Sequence, residues 1–451
     1  MIFNIHPDAV ENFNKQALDL IDLVKATPRP SQATPEFESD IQHRFKITDK
    51  DIVGDLKEKL ADYRGNIIGR YFQVDGTRYA LENENHEQLS KLAEKIQRLP
   101  AFRDKLSQKY IEECLFSWIE SSYKANVASG PFLESLLNEA IQAIKPITVH
   151  VPIAHTVVEQ AFPFCGVLIE NLSEEYIDSI EKEMFSRAKD DVKENLHNFF
   201  IGLRREYQGN ACAKVVLDCE YNYAEELAIT MSQRALDLLS IYSGAALLPD
   251  VKNLSRIKGT EHLATTTSIF LTESDGITTR DGILETGSAR QWMISNQSLS
   301  NFRKCGLDVV SRLVTQTSRT DFESMLLNSI SIYSKASLTA EPLEKLVYML
   351  SALETALLKN ENEPIQQNLS ERIALFIGEE LERRKAIVKS VRNVYGIRSK
   401  YLHHGNSSSE LEEMSVFFGH VWTFFVLLLG CTKKYNSKVQ FLEAIDDMKL
   451  T

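Results

Sequence analysis

No two cysteines of this chain stand close enough to form a Cys-x-x-Cys pair. Its six, Cys114, Cys165, Cys212, Cys219, Cys305 and Cys431, are scattered. That usage excludes a zinc ribbon or a disulfide framework and suits reduced, mostly buried thiols in a cytoplasm. Positive charge is also short: 51 Lys and Arg face 63 Asp and Glu, for a net charge of −12. Such a surface as a whole repels nucleic acid and anionic membrane, so any RNA contact needs a local basic patch. Long apolar runs are missing too. The longest, VFFGHVWTFFVLLLG over residues 416–430, is short for a membrane span and contains His420, so a buried bundle or interface helix is expected. The start, MIFNIHPDAVENFNKQ, has no basic stretch followed by an apolar one, so no signal peptide is expected. No Asp, Glu and His cluster carries metal-ligand spacing, and no cofactor is expected.

What is present reads as an α+β multidomain chain. Residues 1–145 form a mostly helical N-terminal region. A helix is predicted over 7–26, then a loop, TPRPSQATPEF, then helix again from about residue 48. NIIGRYFQVDGTRYALEN reads as a hairpin turning at Asp75-Gly76, and Glu84 to Lys145 is helical with breaks near Pro100 and Gly130. Residues 146–320 form an α+β domain: PITVHVPIAHTVV, FCGVLIENL and AKVVLDCEYN are strand-like, and one long polar helix is predicted over 173–208. From 321 to 451 the pattern is all-α, an antiparallel bundle joined by short polar loops.

Two residues break the bundle's apolar stripes. Leu343, Leu346, Val347, Leu350, Leu353 and Leu357 form one stripe, and Glu354 lies on it. Ile387, Val391, Val394 and Leu402 form another, and Arg398 lies on that one. Charges on inward faces are rarely left unpaired, so Glu354 and Arg398 are expected to face one another, with Arg372 a competing partner for Glu354. Arg398 also belongs to a run from Arg383 to Lys400 with seven basic residues and no acidic one, the best anion-binding candidate of an acidic chain.

That run continues YGIRSKYLHHG, in which Arg398 and His403 form an Arg-x4-His motif. With SALETALLK and SERIALFIG before it, in that order, residues 340–430 resemble the Apea-like branch of the HEPN superfamily. A second Arg-to-His spacing, Arg256 to His262, has no helical setting and is taken as accidental. The resemblance implies a helical bundle, pairing of two copies, and a metal-independent endoribonuclease acting in anti-phage defence, abortive infection or as a toxin; it would give the α+β domain over 146–320 a sensing or regulatory role. Implied partners are RNA (tRNA among its classes), a second copy of the chain, and a phage-derived trigger or an antitoxin; no membrane is implied. By the same resemblance Arg398 holds the phosphate, His403 or His404 transfers protons, and Glu354 orients the arginine. The family pattern sets one histidine directly before the glycine, whereas this chain has two: spacing from Arg398 selects His403, adjacency to Gly405 selects His404. Lys400, Ser399, Tyr395, Arg392 and Lys389 are the expected RNA contacts. The alternative is a non-catalytic HEPN module for dimerisation and RNA or partner binding.

Overall fold

The computed structural model describes residues 5–27, 55–56, 59–61, 66–125, 130–258, 267–273, 276–282, 292–360, 362–404 and 410–449. The chain is α+β, with sheets in its N-terminal and middle regions and an all-helical C-terminal segment. It divides into two compact units, Met1–Val149 with Val216–Leu227, and His150–Val215 with Ala228–Thr451.

The first unit sets helices against a five-stranded sheet. Helix α1 (Pro7–Ile21) is followed by β1 (Lys25–Ala26), β2 (Asp55–Leu56), β3 (Lys59–Ala61), β4 (Ile67–Val74) and β5 (Thr77–Glu82), in sheet order β1-β5-β4-β3-β2. Helices α2 (Glu84–Gln97), α3 (Gln108–Ala125) and α4 (Phe132–Ala143) complete it. Leu89, Leu92 and Ile96 of α2 and Ile111, Leu115 and Ile119 of α3 share one core with Phe72 and Leu81 of the sheet. The predicted hairpin forms, Val74 pairing with Thr77 across Asp75 and Gly76. Both turn residues take positive φ, 49° and 80°, the pattern of a tight hairpin whose twist matches its strands.

Two expectations are corrected here. The first helix stops at Ile21 rather than continuing to residue 26, and Lys25 pairs instead with Ala80 of β5. Pro28 lies just beyond and pushes the residue before it toward extended backbone, which opposes helix there. The helix expected from about residue 48 is absent where the chain is described: Asp55 pairs with Leu60 as sheet. Strands of two and three residues are too short to show an alternating pattern, so the helical reading had no local signal against it. Apart from Thr27, the loop TPRPSQATPEF lies outside the described residues.

A further sheet has the order β11-β6-β10-β9-β8. Its strands are β6 (Lys145–Ala154), β8 (Phe162–Phe164), β9 (Val167–Asn171), β10 (Ala211–Cys219) and β11 (Arg256–Ile257). The short β7 (Thr156–Val158) pairs in parallel with β14 (Trp292–Ile294), and β12 (Thr267–Glu273) with β13 (Gly276–Gly282) forms a separate hairpin. Helix α7 (Tyr221–Leu239) follows β10. The single polar helix expected over 173–208 is in fact two, α5 (Glu174–Arg187) and α6 (Lys193–Tyr207). Ala188 turns extended and Asp190–Val192 make one tight turn, with Lys193 Nζ 2.7 Å from Asp190. Paired aspartates favour caps and turns over a helix interior, and here they set the break.

The bundle follows as α8 (Asn296–Lys304), α9 (Leu307–Thr315), α10 (Asp321–Ala336), α11 (Pro342–Leu357), α12 (Ile365–Ile377), α13 (Leu381–His404), α14 (Leu411–Gly430) and α15 (Lys438–Asp447). Its starts carry readable signals: Thr320 and Glu323 form a capping box on α10, and Pro342 opens α11. Gly306 joins α8 to α9 with φ of 92°, and a Cβ there would lie 2.8 Å from Leu429 Cδ1. Both facts demand glycine. Helix α10 packs on α11, α12 on α13, and α13 on α14.

Helix α14 contains the longest apolar run. Met414, Phe417, Phe418, Val421, Phe424, Phe425, Leu428 and Leu429 are buried, a single face at helical spacing. At about 1.5–3 kcal/mol per fully buried apolar side chain, this face is worth on the order of 10 kcal/mol to the bundle. Tyr333 of α10 stacks on Phe425, ring centroids 4.9 Å apart. The opposite face is not buried: Val416 is 52% and Leu427 45% exposed. By length and composition alone α14 is also apolar enough to cross a membrane, the one such helix among the described residues.

Candidate functional site

Helices α11 and α13 bring the two stripe-breaking charges together. Arg398 Nη1 lies 3.6 Å from Glu354 Oε1. The side chains are 29% and 23% exposed, so the pair lies at the edge of the core, open to solvent on one side. Beneath it Ile387, Val391, Val394 and Ile397 anchor α13, and Leu350, Leu353 and Leu357 anchor α11. Tyr395 supplies a contact the sequence pattern did not show: its hydroxyl donates to the same Glu354 Oε1 at 2.8 Å. Burial, and then the Glu354 carboxylate, push the Tyr395 phenol well above its ordinary range, so it stays a donor. Arg398 Nε is buried and has no hydrogen-bond partner among the described residues. One edge of the guanidinium thus leans on a carboxylate, and an arginine partly exposed at the edge of the core presents the planar fork that suits phosphate or carboxylate oxygens.

Arg372 does not compete for Glu354. Its guanidinium donates to Leu357 O and Glu363 Oε2 at 2.6 Å each, and to both Asp446 oxygens at 3.1 and 3.2 Å. Lys359 adds a 2.8 Å pair with Asp446. Burial works against the Asp446 charge, but Arg372 and Lys359 outweigh it and hold the carboxyl down to about 2. This network fastens α12 to α15 and leaves Glu354 to Arg398 and Tyr395.

The basic run of α13 divides between faces. Ser399 and Lys400 are exposed beside Arg398, and Lys400 Nζ lies 4.0 Å from Glu410. Lys389 and Arg392 point elsewhere, into a groove between α12 and α13. At 100° per residue they stand about 180° and 120° around the helix from Arg398, so they do not converge with it. Helix α13 keeps its winding through His404, which sets His403 about 140° around from Arg398. The side chains of His403 and His404, and Gly405, lie outside the described residues. So does His262, the end of the accidental motif.

The structure adds a buried charge that the pattern missed. Lys345 is fully buried on α11, its ammonium donating to Ala245 O and Leu248 O at 2.8 Å each and to Val251 O. Burial lowers it to about 8, with Asp250 opposing. Its sequence signal was weak, a lysine two after one stripe leucine and one before the next. His420 is half-buried, and burial, then Arg383, lower its affinity for a proton. His150 is held within the middle sheet region, Nδ1 3.3 Å from the Tyr176 hydroxyl. Among the described residues no three His, Cys, Asp or Glu side chains group so as to hold a metal ion.

No protein-family model, no curated protein and no solved structure matches this chain.

Proposed function

We propose that the C-terminal bundle carries a metal-independent endoribonuclease site of HEPN type, formed when two copies of the chain pair. The observation that carries this reading is the Glu354–Arg398–Tyr395 cluster, with Arg398 five residues before the first of two histidines at the end of α13. Arg398 would hold a phosphate oxygen and stabilise charge building on the phosphorane. His403, or its neighbour His404, would take the proton from the substrate's 2′-hydroxyl, whose oxygen then attacks phosphorus. The 5′-oxygen leaves and takes a proton from the corresponding histidine of the second copy. Glu354 would act as a positioning residue, and Ser399 and Lys400, exposed beside Arg398, would meet the substrate backbone. The exposed apolar side of α14, Val416 and Leu427, supports pairing through the bundle. The N-terminal unit and the middle sheet would then select the RNA or sense a phage-derived trigger in the cytoplasm.

The test is cleavage of mixed cellular RNA by wild type, Arg398→Ala and His403→Ala, each with growth measured on expression. Expected products carry a 2′,3′-cyclic phosphate and a free 5′-hydroxyl, cleavage persists in EDTA, and a 2′-deoxy sugar at the scissile position blocks it. Cleavage of the deoxy substrate, or strict dependence on added magnesium, would overturn the mechanism. A well-folded dimer that cuts no RNA would turn the reading to a non-catalytic module for dimerisation and RNA or partner binding.

A further inference from the structure

The basic face of α13 that turns away from Arg398 forms a feature of its own. Between α12 and α13 lies a groove of about 620 Å³. Along α13 its wall runs from Leu381 to Asn393, about 18 Å or three helical turns. Its floor is apolar: Ala374 and Leu375 from α12, Leu381 and Val388 from α13. Its rim is cationic: Lys385, Lys389, Arg392 and Lys449, against one carboxylate, Glu371. Lys389 and Arg392 form no ion pair among the described residues, whereas Lys385 holds Glu382 and Lys449 holds Glu371. Leu381 is 65% exposed at the groove's end. In a chain of net charge −12 this is a local reversal of sign over an uncovered apolar strip.

We propose that this groove seats an acidic amphipathic helix of a protein partner. Shape and charge lead to that occupant together. A strip three turns long between two helices accepts a third helix, whose apolar residues at i, i+3, i+4 and i+7 would meet the floor. Glutamates and aspartates flanking that stripe would meet the rim lysines and Arg392, and the same charges speed encounter. Nucleic acid fits less well. The groove lining contains no aromatic side chain, and single strands gain much of their affinity by stacking on such rings. An apolar floor offers nothing to a phosphate backbone. The proposal does not depend on the ribonuclease reading, since it uses neither Arg398 nor the histidines.

The experiment is fluorescence anisotropy with the full chain and a labelled synthetic helix of about four turns, leucine at the stripe positions and glutamate around them. A scrambled peptide of the same composition and a short labelled RNA are the comparison probes. Expected are saturable binding of the patterned peptide and at least about tenfold weaker binding of the scrambled one. The double variant Lys389→Glu, Arg392→Glu and the separate variant Leu381→Asp should each weaken the patterned peptide by a similar factor, with unchanged helix content by circular dichroism. Leu381 is exposed, so its replacement leaves the fold alone. No binding of the patterned peptide, or equal binding of the scrambled one, overturns the proposal. RNA that displaces the peptide, and itself loses affinity in the Lys389→Glu, Arg392→Glu variant, would assign the groove to nucleic acid instead.

Discussion

Glu354 is the hinge of the candidate site, and its two contacts can be ranked. The Arg398 pair, at 3.6 Å, is longer than a hydrogen bond, and both side chains reach solvent. At an effective dielectric of about 20 the gross attraction is roughly 4–5 kcal/mol. Solvent screening and the ordering of two flexible side chains reduce pairs of this kind to about 0.5–1 kcal/mol. The Tyr395 bond is 2.8 Å and directed to a charged acceptor, where about 1.5–3 kcal/mol is usual. Tyrosine should therefore be the stronger partner, by about a factor of three. The measurement is a pair of double-mutant cycles, Glu354→Gln with Tyr395→Phe and Glu354→Gln with Arg398→Met, by denaturant unfolding. Hydrogen exchange of peptides from α11 and α13 would locate the loss in the bundle. A larger coupling to Arg398 than to Tyr395, or additive effects in the tyrosine cycle, would refute this ranking.

Four further outcomes follow from the same geometry. Asp446 titrates at about 2 in the folded chain against an ordinary 3.8; a depressed carboxyl stabilises above the unfolded value and loses that stabilisation as pH falls through the folded one. About 2 kcal/mol should therefore vanish between pH 4 and pH 2, and Asp446→Asn should flatten that part of the stability–pH curve. Lys345→Met should cost about 3 kcal/mol in denaturant melts, because one buried and two part-buried carbonyls lose their donor; a loss below about 1 kcal/mol would contradict that account. If the cleavage reading holds, His403→Ala should abolish RNA cleavage while His404→Ala weakens it, and the reverse result would move the proton-transfer residue by one position. Sedimentation at micromolar concentration should show a dimer that Leu427→Glu converts to monomer, and a monomeric wild type would count against a paired site.

The bundle's helices were legible because each signal was local. Thr320 with Glu323, Pro342 at a first turn, and apolar residues at helical spacing in α14 act through neighbours three or four positions away. The hairpin at Asp75-Gly76 was legible for the same reason. The split of the polar helix at Ala188 was signalled only by two aspartates, and the stripe-based reading passed over it. The strands β1 to β3 were not legible: β1 pairs with β5 more than fifty residues on, and β2 and β3 are only two and three residues long, too short for alternation to show.

At the candidate site the sequence by itself determined that Glu354 and Arg398 sit on inward stripes, because helical periodicity fixes each residue's face. It did not determine which carboxylate meets which arginine. Only the packing of α12 against α15 decided that Arg372 turns to Glu363 and Asp446, leaving Glu354 for Arg398 and Tyr395. The division of the basic run had the same origin. Composition placed seven cations on one helix, but the position of α12 beside it made a groove at Lys389 and Arg392 and left Arg398 on another face. Periodicity is a property of one helix, whereas a partner is chosen by how several helices pack, and that information is spread over residues far apart in the chain.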